Sequence, residues 1–148
     1  MPAPTWWRRT MMLQQNGANE RFERGLRALS EIDGHAGEKV VNQLANIAPD
    51  FARYVIEFPF GDIYSRPGLD LRSREIATIA ALAALGNATP QLKVHIEACL
   101  NVGVSREEIV EVLIQMAVYA GFPAAVNGLF AAKEVFAARG DAGRERAA

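Results

Sequence analysis

A histidine and a cysteine stand one helical turn apart in the segment PQLKVHIEACL, residues 90–100. They are His95 and Cys99, and the chain contains no other cysteine. Leu92 and Ile96 share their apolar stripe, so both side chains are expected to point towards the buried side of a helix. His95 is then either a core residue held by a hydrogen bond or a general acid or base beside a pocket.

Cys99 allows a second kind of chemistry, because a neighbouring histidine can help to form a nucleophilic thiolate. The same spacing is equally typical of two core residues, and buried free cysteines are common. Apart from His95, the pattern places no cation where it would lower the pKa of the thiol, which favours a core role. A single cysteine also excludes an internal disulfide framework and a multi-cysteine metal site.

A carboxylate interrupts an apolar face in the segment LRSREIATIAALAAL, residues 71–85. Glu75 lies one turn into this predicted helix, where it either favours the positive end of the helix dipole or pairs with a buried partner. His95 on the next helix is the natural candidate for that partner. Arg72 and Arg74 flank the carboxylate and are expected to be solvated or to pair with it.

Other residues could bind an acidic ligand. Arg66 follows Tyr64 in an aromatic segment, where an arginine can clamp a carboxylate through two hydrogen bonds; a surface arginine is the alternative. Gln115 and Tyr119 follow Glu111 along one strip of a later helix and could edge a pocket. The sequence has no glycine-rich phosphate loop and no His/Cys set spaced for zinc, so no metal site is predicted.

Helices are the predicted elements that must hold these residues. Strand-like alternation is nearly absent, Ala and Leu dominate the apolar clusters, and helix-capping signals are frequent. The patterns predict about seven helices, over residues 18–31, 37–47, 49–58, 71–85, 89–102, 105–120 and 124–138. The segment FPFGDIYSRPGLD, residues 58–70, is predicted to be an ordered loop or a single turn.

The length predicts one domain over residues 1–148, with residues 1–17 as an N-terminal arm carrying Trp6-Trp7-Arg8-Arg9 and residues 140–148 as a frayed tail. A net charge of −1 and a pI near 6.1 give no electrostatic footprint for nucleic acid or anionic membrane. The most apolar segment, residues 76–86, is too short to cross a bilayer, and no secretory signal precedes it. We expect a soluble, cytoplasmic protein.

The predicted helix over residues 71–85 is apolar almost all round after Glu75, and a helix of that kind is buried on every side. The final predicted helix is equally rich in alanine. A chain of this size has little room to cover both helices. A homo-oligomer with a helical interface is therefore favoured over a tight monomeric bundle.

Residues 61–136 resemble the carboxymuconolactone decarboxylase family. The matching segments are, in family order, RPGLD, RSREIATIAALAALG, PQLKVHI, NVGVSREEIVEVL and AVYAGFPAA. The resemblance implies a family core over about residues 51–137 and an all-helical fold shared with alkylhydroperoxidases of the reductase-D type. It also implies a homo-oligomer, commonly a trimer or a hexamer.

The hydroperoxidase branch of this fold uses a CxxC motif, a following histidine and a glutamate on the preceding helix. Its histidine and glutamate match His95 and Glu75. Its two cysteines fall at Ala88 and Gln91, and Cys99 is in the wrong place to replace either one. Because disulfide-based peroxide reduction needs an attacking and a resolving thiol, peroxidase activity is not expected.

The decarboxylase branch converts 4-carboxymuconolactone into 3-oxoadipate enol-lactone in aromatic catabolism, the β-ketoadipate pathway, without a cofactor. The resemblance implies such a decarboxylase, or a paralogue acting on a related lactone. His95 would be the general acid, Glu75 would orient it, and Arg66 or Arg72 would hold a substrate carboxylate. The remaining predicted substrate-binding residues are Tyr64, Gln115, Tyr119 and Cys99.

The chain departs from typical decarboxylases of the pathway at two positions. Gln115 stands where they have a histidine, in QMAVYAG here against a segment resembling HTAIYCG, and they lack a glutamate at the position of Glu75. The alternatives to a decarboxylase are a redox protein related to the hydroperoxidases and a non-catalytic oligomeric binding protein.

Overall fold

Helices make up almost all of the chain that the structure describes. The computed structural model describes residues 20–145, with side chains as far as Gly140, and within these residues there are seven α-helices, one π-helical segment and no strand. The all-helical prediction is confirmed. The predicted arm, with Trp6-Trp7-Arg8-Arg9, lies outside the described residues. The elements are α1 (Glu20–Ile32), α2 (Gly34–Ile47), α3 (Pro49–Val55), the π-segment (Ile56–Tyr64), α4 (Leu71–Leu85), α5 (Thr89–Asn101), α6 (Arg106–Tyr119) and α7 (Phe122–Glu145).

The described residues form two compact units, and the division falls between Leu69 and Asp70. The first unit contains α1, α2, α3 and the π-segment, and the second contains α4 to α7. Among the helices of residues 20–145, none combines the length and the apolar character that a membrane span requires.

The π-segment takes the place of the first part, residues 58–64, of the loop or single turn that the sequence predicts for residues 58–70, whereas residues 65–70 form turns as predicted. Pro59 lies inside the π-segment. Proline lacks an amide hydrogen, and its ring clashes with the carbonyl four residues earlier, so it does not continue a regular α-helix. The wider turns of the π-helix accommodate Pro59. Two backbone carbonyls of the segment accept hydrogen bonds from side chains, Gly61 O from Arg24 Nε at 2.6 Å and Phe60 O from Ser65 Oγ at 2.7 Å.

Helix α1 and the π-segment approach each other backbone to backbone at two glycines. A Cβ atom on Gly25 would lie 2.2 Å from the carbonyl oxygen of Ile56, and one on Gly61 would lie 2.5 Å from that of Arg21. Ion pairs flank this crossing, with Arg21 Nε donating to both carboxylate oxygens of Asp62 at 2.9 Å. The crossing therefore depends on the absence of two side chains.

Helix α3 and the start of the π-segment expose three large aromatic residues. Phe51, Tyr54 and Phe58, which the sequence places on one helical face, are all more than half exposed. The buried side is formed instead by Ala52, Ile56 and Phe60. The face that the sequence predicts to be packed is therefore the exposed one.

The second unit is a four-helix arrangement around one apolar core, in which α4 lies against α5, α6 and α7. The core residues are Ile79, Ala83, Leu92, Ile96, Cys99, Val104, Ile109, Leu113, Met116, Ala131, Ala132 and Val135. The predicted end of the last helix is too early, since α7 runs to Glu145 rather than residue 138.

Helix α4 is not buried on every side within one chain, as expected for a chain with little room to cover it. Glu75, Ile79 and Ala83 are buried on one face, whereas Ala77 and Ala81 on another are exposed. The neighbours α5, α6 and α7 cover only part of the helix circumference. An apolar strip of small residues is left uncovered.

Replacement of Gly25 by alanine should destabilise the first unit, although alanine is the better helix former. The added Cβ overlaps a backbone carbonyl that cannot rotate away, so the free energy of unfolding should fall by roughly 1–3 kcal/mol. The matched control is Gly140→Ala, also on a helix, where a Cβ meets nothing within 4 Å. Urea unfolding of both variants measures the effect, and equal stability would contradict the close crossing.

Candidate active site

The ends of α4 are fixed by local signals that also set where Glu75 lies. Asp70 caps the helix, its Oδ1 accepting the backbone N–H of Ser73 at 2.8 Å, and this hydrogen bond is the main cause that holds the pKa of Asp70 below its ordinary value. Gly86 ends the helix with a left-handed backbone, φ +75°. The chain then turns and starts α5 at Thr89, with Pro90 in the first turn.

Glu75 and His95 meet between these two helices. His95 Nδ1 lies 2.9 Å from Glu75 Oε2, a distance at which the ring N–H donates to the carboxylate. The Glu75 side chain has no exposed surface, whereas that of His95 is 20% exposed. Of the two sequence interpretations of Glu75, the structure therefore has the one with a buried partner, and that partner is His95.

The second oxygen of the Glu75 carboxylate is unusual. Oε1 is buried and has no hydrogen-bond partner among the described residues. A buried polar atom without a partner costs roughly 1–3 kcal/mol, and native structures contain few of them. A group retained at such a cost suggests a role other than stability.

Cys99 lies one turn after His95 and is completely buried in the apolar core. Burial and then the negative charge of Glu75 raise the pKa of its thiol, the charge of Arg72 acts in the opposite direction, and together they bring the pKa to about 12. A thiol in this environment is protonated near neutral pH. The geometry therefore agrees with a core residue and gives no support to a nucleophile.

Arg72 forms an ion pair that the sequence does not reveal. Its Nη2 donates to Oε1 of Glu108, on the first turn of α6. The other oxygen of Glu108 accepts the backbone N–H of Ser105 at 2.9 Å, as the capping box predicts. The hydrogen bond from Ser105 and then the one from Arg72 lower the pKa of Glu108. The capping-box signal identified Glu108, but only as a cap.

The other predicted site residues are divided between the two units. Gln115 and Tyr119 are exposed on α6, on the side away from its buried residues Leu113 and Met116. Tyr64 ends the π-segment in the first unit, where its ring packs on Phe60 with 5.5 Å between centroids.

Arg66 follows Tyr64 in the first unit and is exposed. Its backbone N–H donates to the carbonyl of Ile63 at 3.2 Å, so its backbone belongs to the turn that ends the π-segment. The roles predicted for Arg66, Tyr64, Gln115 and Tyr119 remain predictions.

A carboxylate buried behind a partly exposed imidazole is suited to proton transfer. The carboxylate fixes the ring orientation through Nδ1 and stabilises the imidazolium form, so that Nε2 can donate or accept a proton. Together with the all-helical fold, this defines a helical protein with a carboxylate–histidine pair between adjacent helices.

Comparison with known proteins gives the family. The model of the carboxymuconolactone decarboxylase family matches residues 49–134, which include α4, α5 and α6. The chain belongs to this family. Both members of the Glu75–His95 pair lie within the matched region.

Three relatives show the range of the family. The chain is 37% identical to 4-carboxymuconolactone decarboxylase of Acinetobacter baylyi over 121 residues, or 79% of this chain and 87% of the relative. It is 34% identical to an uncharacterized 15.0 kDa protein of Paracoccus denitrificans, over 74% and 78%. It is 30% identical to a nitrosuccinic acid decarboxylase of Metarhizium robertsii, over 73% and 76%. Two of the three are named as decarboxylases.

Alkylation should distinguish a core thiol at Cys99 from a reactive one. Because the pKa of about 12 lies well above the ordinary 9.0, the folded protein holds almost no thiolate at pH 8. Iodoacetamide should label Cys99 at pH 8 roughly 100-fold or more slowly in the native protein than in the urea-unfolded protein, because only the thiolate attacks. Mass spectrometry gives both rates, with Cys99→Ala as the blank. Similar rates would contradict the core role.

Proposed function

We propose that this protein is a cofactor-independent decarboxylase that acts on a carboxylated lactone of the 4-carboxymuconolactone type, or on a closely related acid. The proposal depends above all on one observation, the hydrogen bond from partly exposed His95 to fully buried Glu75. Family membership and the names of two relatives support it.

The proposed reaction begins with loss of carbon dioxide from the ring carbon that is conjugated through the alkene to the lactone carbonyl. The electron pair of the broken carbon–carbon bond moves into the ring and leaves a dienolate. The protein must stabilise the charge that develops on the carbonyl oxygen and keep water away from the leaving carboxylate. Return of a proton to the carbon beside the carbonyl gives the enol-lactone.

His95 is proposed to supply that proton from Nε2. Glu75 would hold Nδ1 and stabilise the imidazolium, so that the ring points outward with a proton to donate. After the transfer His95 is neutral and takes up a proton from solvent. One proton is therefore consumed for each carbon dioxide released.

The two decarboxylases among the relatives act on acids with a common chemical property. In 4-carboxymuconolactone and in nitrosuccinic acid, loss of carbon dioxide leaves negative charge that is delocalised onto an electron-withdrawing group, the lactone carbonyl in one and the nitro group in the other. A proton donor beside a desolvated site meets the needs of both reactions. The chain departs from typical decarboxylases of the pathway at Gln115 and at Glu75, so a related acid is part of the proposal.

Substitution of His95 by alanine should lower kcat/KM on 4-carboxymuconolactone by about 10²- to 10⁴-fold, the usual contribution of a general acid. Glu75→Gln should cause a smaller loss, because the amide still accepts a hydrogen bond but does not stabilise the imidazolium. The control is His35→Ala, which removes the other histidine from an exposed position on α2. Carbon dioxide release and enol-lactone formation are followed together.

Circular dichroism and gel filtration separate the possible outcomes of that experiment. Folded but inactive His95→Ala supports the proposal. Activity retained in a folded His95→Ala protein contradicts it. If His95→Ala fails to fold, full activity of Glu75→Gln would contradict the proposed pair. A folded wild-type protein without turnover would remove this lactone as the substrate, and nitrosuccinic acid would be assayed next.

A homo-oligomer is part of the proposal. Large apolar residues on the last turns of α6 and the first turns of α7 are uncovered in the single chain, with Val118 77%, Phe122 76% and Phe130 62% exposed. A soluble monomer rarely leaves such a contiguous apolar surface uncovered. Gln115 and Tyr119 lie on the same side of α6, so a partner subunit would cover them as well.

Phe122→Asp should shift the protein to smaller oligomers, because burying an unpaired carboxylate at an apolar interface is costly. Analytical ultracentrifugation gives the subunit number of the wild-type protein, for which the family leads us to expect three or six. Lys133→Asp, exposed on the same helix α7, is the matched control. A wild-type monomer would contradict this part of the proposal.

A further inference from the structure

Both oxygens of the Glu108 carboxylate accept hydrogen bonds. Its Oε2 accepts the backbone N–H of Ser105 at 2.9 Å, and its own backbone N–H donates to the Ser105 hydroxyl at 3.1 Å. Its Oε1 accepts Nη2 of Arg72. Because the capping box fixes the carboxylate on α6, Glu108 cannot follow Arg72 if the arginine moves. It acts as a fixed point for the guanidinium.

Arg72 lies one helical turn before Glu75 on α4, so the two residues are neighbours on the helix surface. The positive charge of Arg72 lowers the pKa of the Cys99 thiol, and the negative charge of Glu75 raises it. The Arg72 side chain is 42% exposed, so the guanidinium reaches from the edge of the core to solvent. A positive charge is thus fixed on a side chain that is one helical turn from Glu75 and open to solvent.

The Arg72 guanidinium keeps donors for a second acid. It has five N–H groups, and in the described part of the chain Glu108 is its one ion-pair partner, bound through Nη2. A carboxylate that approaches another edge of the planar group can form two parallel hydrogen bonds without displacing Glu108.

We propose that Glu108 is a positioning residue that fixes Arg72 to bind the carboxylate that the substrate retains, so that this ion pair selects dicarboxylic acids. The inference rests on the proposed decarboxylase function. Succinic acid derivatives and 4-carboxymuconolactone both keep one carboxylate after the other has left as carbon dioxide.

Arg72 is assigned the retained carboxylate for a physical reason. An arginine on the leaving carboxylate would stabilise the ground state and lose its partner as carbon dioxide forms, which slows the reaction. An ion pair between Arg72 and the retained carboxylate is the same before and after the carbon–carbon bond breaks. Such uniform binding changes KM and leaves kcat nearly constant.

Glu108→Gln tests the assignment without removing the helix cap, because glutamine also completes a capping box. The amide no longer holds the guanidinium by charge. We expect KM for 4-carboxymuconolactone to rise about fivefold, which corresponds to about 1 kcal/mol, with kcat within about twofold of wild type. The matched control is Glu107→Gln, the adjacent exposed glutamate of the same helix turn, for which KM should not change.

A double-mutant cycle shows whether Glu108 acts through Arg72. Arg72→Ala should raise KM further than Glu108→Gln, and adding Glu108→Gln to Arg72→Ala should change nothing more. An additive effect in the double variant would mean a role in the stability of α6 and would overturn the proposal. A lower KM in Glu108→Gln would also overturn it, since Glu108 would then be competing with the substrate.

Succinate and its monomethyl ester extend the test to a protein that does not turn over. Calorimetry should show that the wild-type protein binds succinate more tightly than the ester, and that Arg72→Ala binds them equally. If neither 4-carboxymuconolactone nor nitrosuccinic acid is decarboxylated but this preference is present and depends on Glu108, the proposed function fails, while the binding of a carboxylate by Arg72 and its positioning by Glu108 stand. If turnover is normal and Glu108→Gln behaves like Glu107→Gln, the inference alone fails.

Discussion

The buried carboxyl group of Glu75 is the constraint on which the register of α4 against α5 depends. A carboxylate with no exposed surface is very costly unless nearby groups donate hydrogen bonds or positive charge, and here His95 does so from the neighbouring helix. The pair can form only if α4 and α5 lie side by side in one register. The chain achieves that register with a helix end at Gly86 and a new helix start at Thr89.

Helix caps fix where the charged residues near Glu75 lie on their helices. Asp70 fixes the start of α4, so Arg72 and Glu75 fall at set positions on its first two turns. Ser105 and Glu108 fix the start of α6, and the same Glu108 carboxylate bonds to Arg72. Local hydrogen bonds that end helices therefore also decide which charged side chains meet. Glu108, in particular, both caps α6 and pairs with Arg72 of α4.

The sequence predicts those parts of the fold and site that follow from short-range signals. The bounds of α4 agree with the prediction because Asp70 is a strong helix-start signal and Gly86 a strong helix-end signal. The hydrogen bond between His95 and Glu75 is predicted because each of two successive apolar stripes carries one polar residue. The pairing of Arg72 with Glu108 has no such signal, since the two residues are distant in sequence and both are ordinary on exposed helix turns. The π-segment was missed because Pro59 is read as a helix breaker rather than as a reason for wider turns.

The crossing of α1 and the π-segment at Gly25 and Gly61 limits how this part of the chain can change in length. Each glycine meets a particular carbonyl on the other element, so a residue inserted between Arg21 and Gly25, or between Ile56 and Gly61, would bring a side chain to the point of contact. A residue inserted at Ala48, between α2 and α3, leaves both spacings unchanged. Variation in loop length between relatives is therefore expected at such helix junctions, and the two glycine spacings should stay constant.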